Sequence, residues 1–425
     1  MTDQRIGEFL RRTGMDAGRI DPDAALEEFI RQMRAGLAGR PASLRMLPSF
    51  LTVSAAPKNR RVLAIDAGGT NLRTASVRFD AQGRPAIERL ERRPMPGRAG
   101  ALDREGFFAA LADALEPFAD DGSPAGFCFS FVMDVLPDRD GRIGAFCKEL
   151  RIRGAEGAVI GASLNRELAR RGRRPRRFTL LNDTVAALLA GADGPDTCDG
   201  HIGFILGTGT NSCYVENARN LTKLPGRDGS MIVNLESGLY NGFPRGEFDR
   251  ALDAASEIPG DHPAEKMMGG AYMGELVFRT AQGACRAGLF TERFSAAIEH
   301  IGAFTAEQLS AFCAGTPDSA LAALTAANPG DAGALRAIID ETYERAARMA
   351  AVTLTAIAVH TDTGRSSARP CCVSAEGSSF YGSPLFRPKL LRLLEGWAAG
   401  HGRHFRFVRR SDAAILGAAI AAAQQ

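Results

Sequence analysis

The sequence lacks the signatures of several common protein classes. Its 425 residues include eight cysteines, but no C-x-x-C pair and no spacing typical of metal ligands. No apolar run approaches the roughly 20 residues that a membrane-spanning helix requires, and the polar N-terminus has no apolar signal core. A net charge of +3 is too small to indicate a nucleic-acid partner. We therefore predict a reduced, cytoplasmic chain without membrane or nucleic-acid partners, and the sequence does not reveal its oligomeric state.

The chain also lacks a P-loop, because no G-x-x-x-x-G-K-[ST] string occurs. A different glycine turn follows the apolar run at 62–65, and an extended pattern resumes at 74–77. Glycines let backbone amides approach a phosphate closely, and the aspartate ahead of them is placed to hold Mg²⁺ through water. A plain hairpin turn with a buried aspartate is the alternative. The residues of this predicted phosphate site are Asp66, Gly68, Gly69, Thr70, Asn71 and Arg73.

The same plan occurs a second time. The string Gly-Thr-Asn stands at 69–71 and again at 209–211, each time between two apolar extended segments. Two such hairpins predict a duplicated domain whose halves hold one polyphosphate from opposite sides, with backbone donors as in a nest. Chance recurrence of a three-residue string is the alternative. The second predicted phosphate site comprises Gly207, Thr208 and Gly209.

A carboxylate stands at the end of a predicted strand. Asn182 and Asp183 follow the strand at 178–181 and open a helix at 183–191. Ligands of α/β proteins gather at the carboxyl ends of strands, where Asp183 could accept a hydroxyl proton as phosphate is attacked. Asparagine and aspartate are also good N-caps, so a purely structural capping role remains the alternative.

Lysine is scarce in this arginine-rich chain. Only five of the 52 basic residues are lysine, which singles out positions where a compact charge matters. Lys148 follows a turn after the strand at 127–131, and Lys266 lies in a helical pattern. An ordinary surface position is the alternative for each.

Periodicity predicts an α/β fold in which strands and helices alternate. Predicted helices lie at 4–14, 23–39, 104–118, 183–191, 263–288 and 335–360. Predicted strands lie at 127–131 and 178–181, with three more between 60 and 93.

Taken in order, these segments resemble the hexokinase family, within the actin-like sugar-kinase superfamily. The resemblance covers nearly the whole chain. The matching segments are 46–50, 62–73, 129–131, 147–148, 181–184, 205–216, 233–238, 265–267, 376–378 and the final helix that contains Gly417.

The resemblance implies a two-lobed actin-like ATPase (ribonuclease H-like) fold, with duplicated α/β domains and a central cleft. The small lobe would comprise 57–182 plus 411–425, and the large lobe 1–56 plus 183–410. The implied reaction is ATP- and Mg²⁺-dependent phosphorylation of a hexose, most simply glucose, at its 6-hydroxyl. Asp183 would be the general base, with Lys148 beside it, and Gly377 and Ser378 would contact the nucleotide. The implied sugar ligands are Ser130, Cys147, Lys148, Asn182, Asp183, Asn211, Glu236 and Glu265.

The chain departs from the family pattern near the sugar. Val132 stands where proline usually follows, Cys147 replaces a threonine, Ser237 replaces an aromatic residue, and His262 begins a segment that usually starts with glutamine. A thiol is a weak hydrogen-bond donor, so one sugar contact is weakened. A kinase for fructose, mannose or an amino sugar is therefore an alternative. A chaperone-type ATPase, a filament protein and a non-catalytic sugar sensor are further alternatives.

Overall fold

A computed structural model of the chain describes residues 2–55, 57–118, 122–146, 150–192, 197–316 and 319–424. These residues form two main mixed β-sheets with helices packed on their faces, and two small two-stranded sheets. The strands are β1 (Leu47–Pro48), β2 (Arg60–Ala67), β3 (Asn71–Phe79), β4 (Pro85–Pro94), β5 (Leu102–Asp103), β6 (Ala125–Phe129), β7 (Val132–Val135), β8 (Gly141–Ala145), β9 (Ile152–Arg153), β10 (Phe178–Leu181), β11 (Gly200–Leu206), β12 (Thr210–Asn217), β13 (Ser230–Asn234), β14 (Cys371–Glu376) and β15 (Phe405–Val408). The two small sheets are β5-β9 and β7-β8. The helices are α1 (Thr2–Thr13), α2 (Pro22–Leu37), α3 (Arg104–Leu115), α4 (Ile160–Arg170), α5 (Asp183–Gly191), α6 (Glu247–Ala255), α7 (Pro263–Met268), α8 (Gly270–Arg286), α9 (Glu292–Ile298), α10 (Ala306–Cys313), α11 (Ala320–Thr325), α12 (Pro329–His360), α13 (Ser378–Gly382), α14 (Arg387–Leu393) and α15 (Ala413–Ala423).

The two main sheets share one strand order. In the first sheet the order is β4-β3-β2-β6-β10, and in the second it is β13-β12-β11-β14-β15, with β1 added beyond β13. Each sheet therefore begins with an antiparallel hairpin, β2–β3 or β11–β12, and continues with two parallel strands. The predicted duplication is confirmed at the level of topology, and with it the predicted two-lobed α/β fold.

The helix that follows the last strand of each sheet packs against the other sheet. Helix α5 follows β10 and packs against β11 and β14 of the second sheet, whereas α15 follows β15 and packs against β2 and β6 of the first. The two helices also pack against each other. Glycine makes this approach possible, because a Cβ at Gly417 would overlap the carbonyl oxygen of Ala186, and one at Gly126 would overlap that of Ala418.

The helix predicted at 263–288 is in fact two helices. It breaks at Gly269, between α7 and α8, because the second glycine hairpin lies directly against this point. The amides of Gly270 and Ala271 donate to the carbonyl oxygens of Gly207 (2.8 Å) and Thr208 (3.1 Å). Helical periodicity alone gives no sign of a tertiary contact of this kind.

The prediction of a fully reduced chain is wrong for one pair of cysteines. Cys198 and Cys372 form a disulfide across 174 residues of sequence. Cys198 precedes β11 and Cys372 lies in β14, and the parallel pairing of these strands brings the two cysteines together. A separation of this length has no signature in the sequence.

In the part of the chain that the structure describes, every helix is too short or too polar to cross a bilayer.

We expect Gly126→Ala to destabilise the protein, because the added methyl group must push α15 away from β6. The urea midpoint should fall by the equivalent of about 1–3 kcal/mol, as overpacked cores show. Gly100→Ala is the matched control, since a Cβ there meets nothing within 4 Å. Equal midpoints for the two variants would contradict close packing at this helix.

Candidate functional site

Asp183 lies at the carboxyl edge of the first sheet. It is the first residue of α5, directly after β10, and β10, β6 and β2 are parallel neighbours that end at the same edge. The cap of this helix is Asn182, whose side-chain oxygen accepts from the Thr184 amide at 2.9 Å. Asp183 Oδ1 also accepts from that amide, at 2.8 Å. Asn182 therefore caps the helix, and Asp183 bonds to both the amide and the hydroxyl of Thr184.

The surroundings of Asp183 disfavour its charged form. Burial raises the pKa of this carboxyl to about 6, and the negative charges of Glu236 and Asp66 add to the shift. The Thr184 hydrogen bonds act in the opposite direction. A pKa of about 6 is close to the value that suits a carboxylate acting as a proton acceptor at neutral pH.

A cavity with both polar and apolar walls opens beside Asn182. The space between its walls, including the opening to solvent, is about 530 Å³, and it is lined from both sheets by Pro48, Phe131, Asn182, Asn234 and Glu236, among others. This cavity brings Asn182 and Glu236 together, as the sequence predicts. Ser130 stands next to the lining residue Phe131, and its amide donates to the Ala67 carbonyl at 3.1 Å.

A chain of side-chain hydrogen bonds holds the floor of this cavity. Asn211 Nδ2 donates to Asn234 Oδ1 at 2.9 Å, and Asn234 Nδ2 donates to Glu236 Oε1 at 2.7 Å. Glu236 adopts φ = 56°, a left-handed conformation uncommon for a residue with a Cβ. Burial raises the pKa of Glu236. Asn234 was not predicted as a site residue, although it lies two residues before Glu236 at the end of β13.

Glu265 is placed against the second hairpin. Its Oε2 accepts from the Thr210 amide at 3.0 Å, and a Cβ at Gly209 would overlap this carboxylate. Gly238 lies against the side of Glu265 as well. The carboxylate therefore contacts the turn that begins β12, the strand that carries Asn211.

In the first hairpin a carboxylate and a guanidinium are paired. Asp66 lies near the end of β2, and Arg73 in β3 donates to it at 2.8 Å. Arg73 also reaches Asp412 at 3.0 Å, just ahead of α15. Asp66 is buried on the same sheet edge as Asp183. Among the described residues, no three His, Cys, Asp or Glu side chains come together as a metal site.

In the second hairpin the turn packs against the end of β14. Gly377 has φ = 116°, and a Cβ there would overlap the carbonyl oxygen of Leu206. The Ser379 hydroxyl donates to the Gly207 carbonyl at 2.9 Å. Gly207, Gly377 and Ser378 thus meet at one edge of the second sheet.

A second cavity, of about 880 Å³, extends from this edge. It is lined mainly by α8, α10 and α13, and the long helix α12 contributes Tyr343. Apart from Ser378, its lining was not predicted, because these residues come from separate helices and share no motif. The lining includes Met268, Met273, Ala306, Glu307, Tyr343, Ser378, Ser379 and Phe386.

Two predicted residues lie outside the described residues, and one singled-out lysine has a different place. Cys147 and Lys148 belong to the undescribed segment 147–149. Lys266 is buried and pairs with Asp253, and its ammonium also donates to the Ile258 carbonyl at 2.7 Å. This lysine thus supports the loop that leads into α7.

Comparisons with known proteins agree with this architecture. Two family models, both described as Hexokinase, match residues 8–192 and 201–424. Hexokinase-3 of Oryza sativa subsp. japonica is 29% identical over 457 residues, covering 96% of this chain and 89% of the relative. Hexokinase-3 of Mus musculus is 33% identical over 259 residues, covering 58% of this chain and 28% of the relative. The solved structure of a Schistosoma mansoni hexokinase complexed with glucose covers 100% of both chains, with 22% identity and a TM-score of 0.79.

The second of these family models alone covers more than half of the chain, and the duplicated sheets carry a glycine hairpin each. The chain therefore belongs to the hexokinase family and is a sugar kinase that phosphorylates a hexose.

Proposed function

We propose that the protein transfers the γ-phosphate of ATP to the 6-hydroxyl of glucose, with Asp183 as the general base. The observation that carries this proposal is the burial of Asp183 at the carboxyl edge of the first sheet, one residue after Asn182, which lines the cavity. Asp66 and Glu236 lie near enough for their charges, together with burial, to raise the pKa of Asp183 to about 6. A primary hydroxyl attacks phosphorus more readily when its proton passes to such a carboxylate.

The sugar would occupy the cavity of about 530 Å³. Asn182 and Glu236 line it, while Ser130, Asn211 and Glu265 stand around it. Carboxylate and amide groups orient hydroxyls with fixed geometry, which suits these residues to bind a hexose. Cys147 and Lys148 would complete the set from the first half of the chain.

The two hairpins would hold the donor. Gly68, Gly69, Thr70 and Asn71 would bind phosphate from the first sheet, and Gly207, Thr208 and Gly209 from the second. Gly377 and Ser378 lead from this edge into the cavity of about 880 Å³, which would take the adenosine.

A magnesium ion fits this site in one particular way. Asp66 and Asp183 are two carboxylates close enough for the charge of one to raise the pKa of the other, and a divalent cation would offset that repulsion. Mg²⁺ commonly binds one or two protein carboxylates and completes its shell with phosphates and water. Asp66 would hold it through water and Arg73 would orient Asp66. The bound ion would neutralise charge on the transferring phosphate.

Sugar binding would close the small lobe, 57–182 plus 411–425, onto the remainder. The packing of α15 on β2 and β6 supports its assignment to that lobe, although it follows the second sheet in the chain. Closure would exclude water and align the hydroxyl with the γ-phosphate.

A different hexose is the second candidate. His262 has φ = 48° and lies close enough to Glu236 for its charge to influence the pKa of that carboxyl. A histidine beside a sugar-binding glutamate, together with the thiol of Cys147, favours a pocket with altered hydroxyl contacts. Fructose, mannose and amino sugars are the acceptors to compare with glucose.

The wild type should phosphorylate a hexose in a coupled assay with ATP and Mg²⁺, with the highest kcat/KM for glucose. Asp183→Asn should lower kcat by about 10²- to 10⁴-fold, since general-base catalysis contributes a factor of this size. The same change should raise stability at pH 7 by about 1–3 kcal/mol, because a carboxylate held at an unfavourable pKa is removed. Asp228→Asn, on the exposed surface, is the control.

Full activity of Asp183→Asn, or no turnover of any hexose by the wild type, would refute the proposed function. A higher kcat/KM for another sugar would select the second candidate. Sugar binding without turnover would indicate a sensor, and ATP hydrolysis independent of sugar would indicate another kind of ATPase.

The pH dependence of kcat/KM should report on Asp183. Because burial raises its pKa to about 6, activity should fall about tenfold per pH unit well below that value and be nearly constant from about pH 7 upwards. Stability should change in the opposite direction, falling as pH rises from about 4 to 6, since the native state retains the proton longer than the unfolded chain. A profile that is flat down to pH 5 would contradict the assignment of Asp183 as the base.

The larger cavity offers a separate test of donor binding. Ala306→Trp should fill it and raise the KM for ATP at least about tenfold, with the KM for the hexose within about twofold, because only nucleotide contacts are blocked. Ala326→Trp places the same side chain at an exposed position and serves as the control. An unchanged KM for ATP would move the adenosine elsewhere.

A further inference from the structure

An arginine outside every predicted motif lies on the first hairpin. Arg98 Nη1 is 3.1 Å from the Gly69 carbonyl oxygen and 3.3 Å from the Thr70 hydroxyl. Its side chain is exposed at the surface. These are the two residues at the tip of the turn between β2 and β3, so a single guanidinium nitrogen contacts both the main chain and the side chain of the turn.

Three backbone hydrogen bonds hold the chain around Arg98 in place. The Met95 amide donates to the Thr70 carbonyl at 3.0 Å, and the Arg98 amide donates to the Met95 carbonyl at 3.2 Å. The Arg151 amide donates to the Gly97 carbonyl at 2.9 Å. Gly97 has φ = 88°, and a Cβ there would lie 2.7 Å from Ile152 Cγ1. Arg98 is therefore held between the first hairpin and the chain that follows segment 147–149.

The two contacts of Arg98 constrain how the turn presents its donors. In a trans peptide the carbonyl and the next amide point in opposite directions, so holding the Gly69 oxygen directs the Thr70 amide to the other side. A hydroxyl that accepts a hydrogen bond from Arg98 turns its own proton elsewhere. The guanidinium thus binds the Gly69 carbonyl oxygen, an acceptor that would repel phosphate. The two donors of Thr70, its amide and its hydroxyl, then point away from the guanidinium.

We propose that Arg98 is a positioning residue for phosphoryl transfer, which fixes the Gly69–Thr70 peptide and the Thr70 hydroxyl toward the terminal phosphate of the donor nucleotide. Its positive charge would also stabilise the conformation of the turn that binds this phosphate. Electrostatic stabilisation of the transition state depends on donors that are fixed in place before the reaction. The inference rests on the proposed function for the identity of the donor. Arg98 belongs to neither glycine hairpin and to neither of the sugar-site segments.

Arg98→Gln should lower kcat/KM for MgATP by about 10- to 100-fold, the range expected for losing a charge-assisted hydrogen bond. The KM for glucose should stay within about twofold and the melting temperature within about 2 °C, since the side chain is exposed. Arg98→Lys keeps the charge but not the planar fork, so it should recover only part of the loss. Arg104→Gln, at an exposed arginine nearby, is the matched control and should behave like the wild type.

A double-mutant cycle separates action through Thr70 from a general structural effect. If Arg98 works through this hydroxyl, Arg98→Gln should cost much less in a Thr70→Ala background than in the wild type. Fully additive losses, a loss confined to the KM for glucose, or equal kinetics for Arg98→Gln and Arg104→Gln would overturn the proposal. If Arg98→Gln does not fold, Arg98→Lys decides by the same criteria.

The experiment distinguishes this inference from the proposed function. A wild type that phosphorylates glucose while Arg98→Gln matches it refutes only the role of Arg98. A wild type that turns over no hexose refutes the proposed function, and MgATP affinity by calorimetry then takes the place of turnover. Weaker MgATP binding by Arg98→Gln than by Arg104→Gln would still support the role of Arg98, and equal binding would refute it.

Discussion

The structure depends on the close contact between α5 and α15. Each helix follows the last strand of one sheet and packs on the other, so the two halves are joined by an exchange of equivalent elements. Glycines allow the backbones to approach closely here: Gly417 where α15 meets α5, Gly126 where β6 meets α15, and Gly203 where β11 meets the Thr184 carbonyl of α5. Packing of this density transmits small displacements, because interiors have few voids to absorb them. The first residue of α5, Asp183, takes its position from this contact.

The electrostatics of the cleft follow from where that helix begins. Asp66, Asp183, Glu236 and Glu265 surround one region, and Arg73 neutralises Asp66. Burial and neighbouring negative charges raise the pKa of Asp183 and of Glu236, so this region favours neutral, hydroxyl-rich ligands that can donate to these carboxyl groups. Asp66 belongs to the first hairpin and Glu265 contacts the second, so a polyphosphate would approach this region only with cations or backbone donors in front of it. In the proposed function the carboxylates would contact the sugar and the hairpin amides would contact the phosphates.

Sequence patterns predicted the local features well and the tertiary ones poorly. The strands on both sides of 66–71, the strand and helix that frame Asp183, and the repeat at 209–211 are all encoded by neighbouring residues, and each is confirmed as structure. The break at Gly269, the Cys198–Cys372 disulfide and the lining of the larger cavity depend on contacts between distant segments. The predicted start of α12 at 335 was also late, since the Asn328 cap and Pro329 already begin the helix.

The exchange of helices also bears on the order in which the chain folds. The five strands of the first sheet are all synthesised by Leu181, yet the helix that covers β2 and β6 is made only after β15. Until α15 emerges, apolar surface on the first sheet has no native cover, and such surface attracts chaperones or other unfinished chains. Completion of the early half thus waits for synthesis of the late half. The first lobe of a newly made chain would therefore stay incomplete until α15 emerges, and both lobes would be finished nearly together.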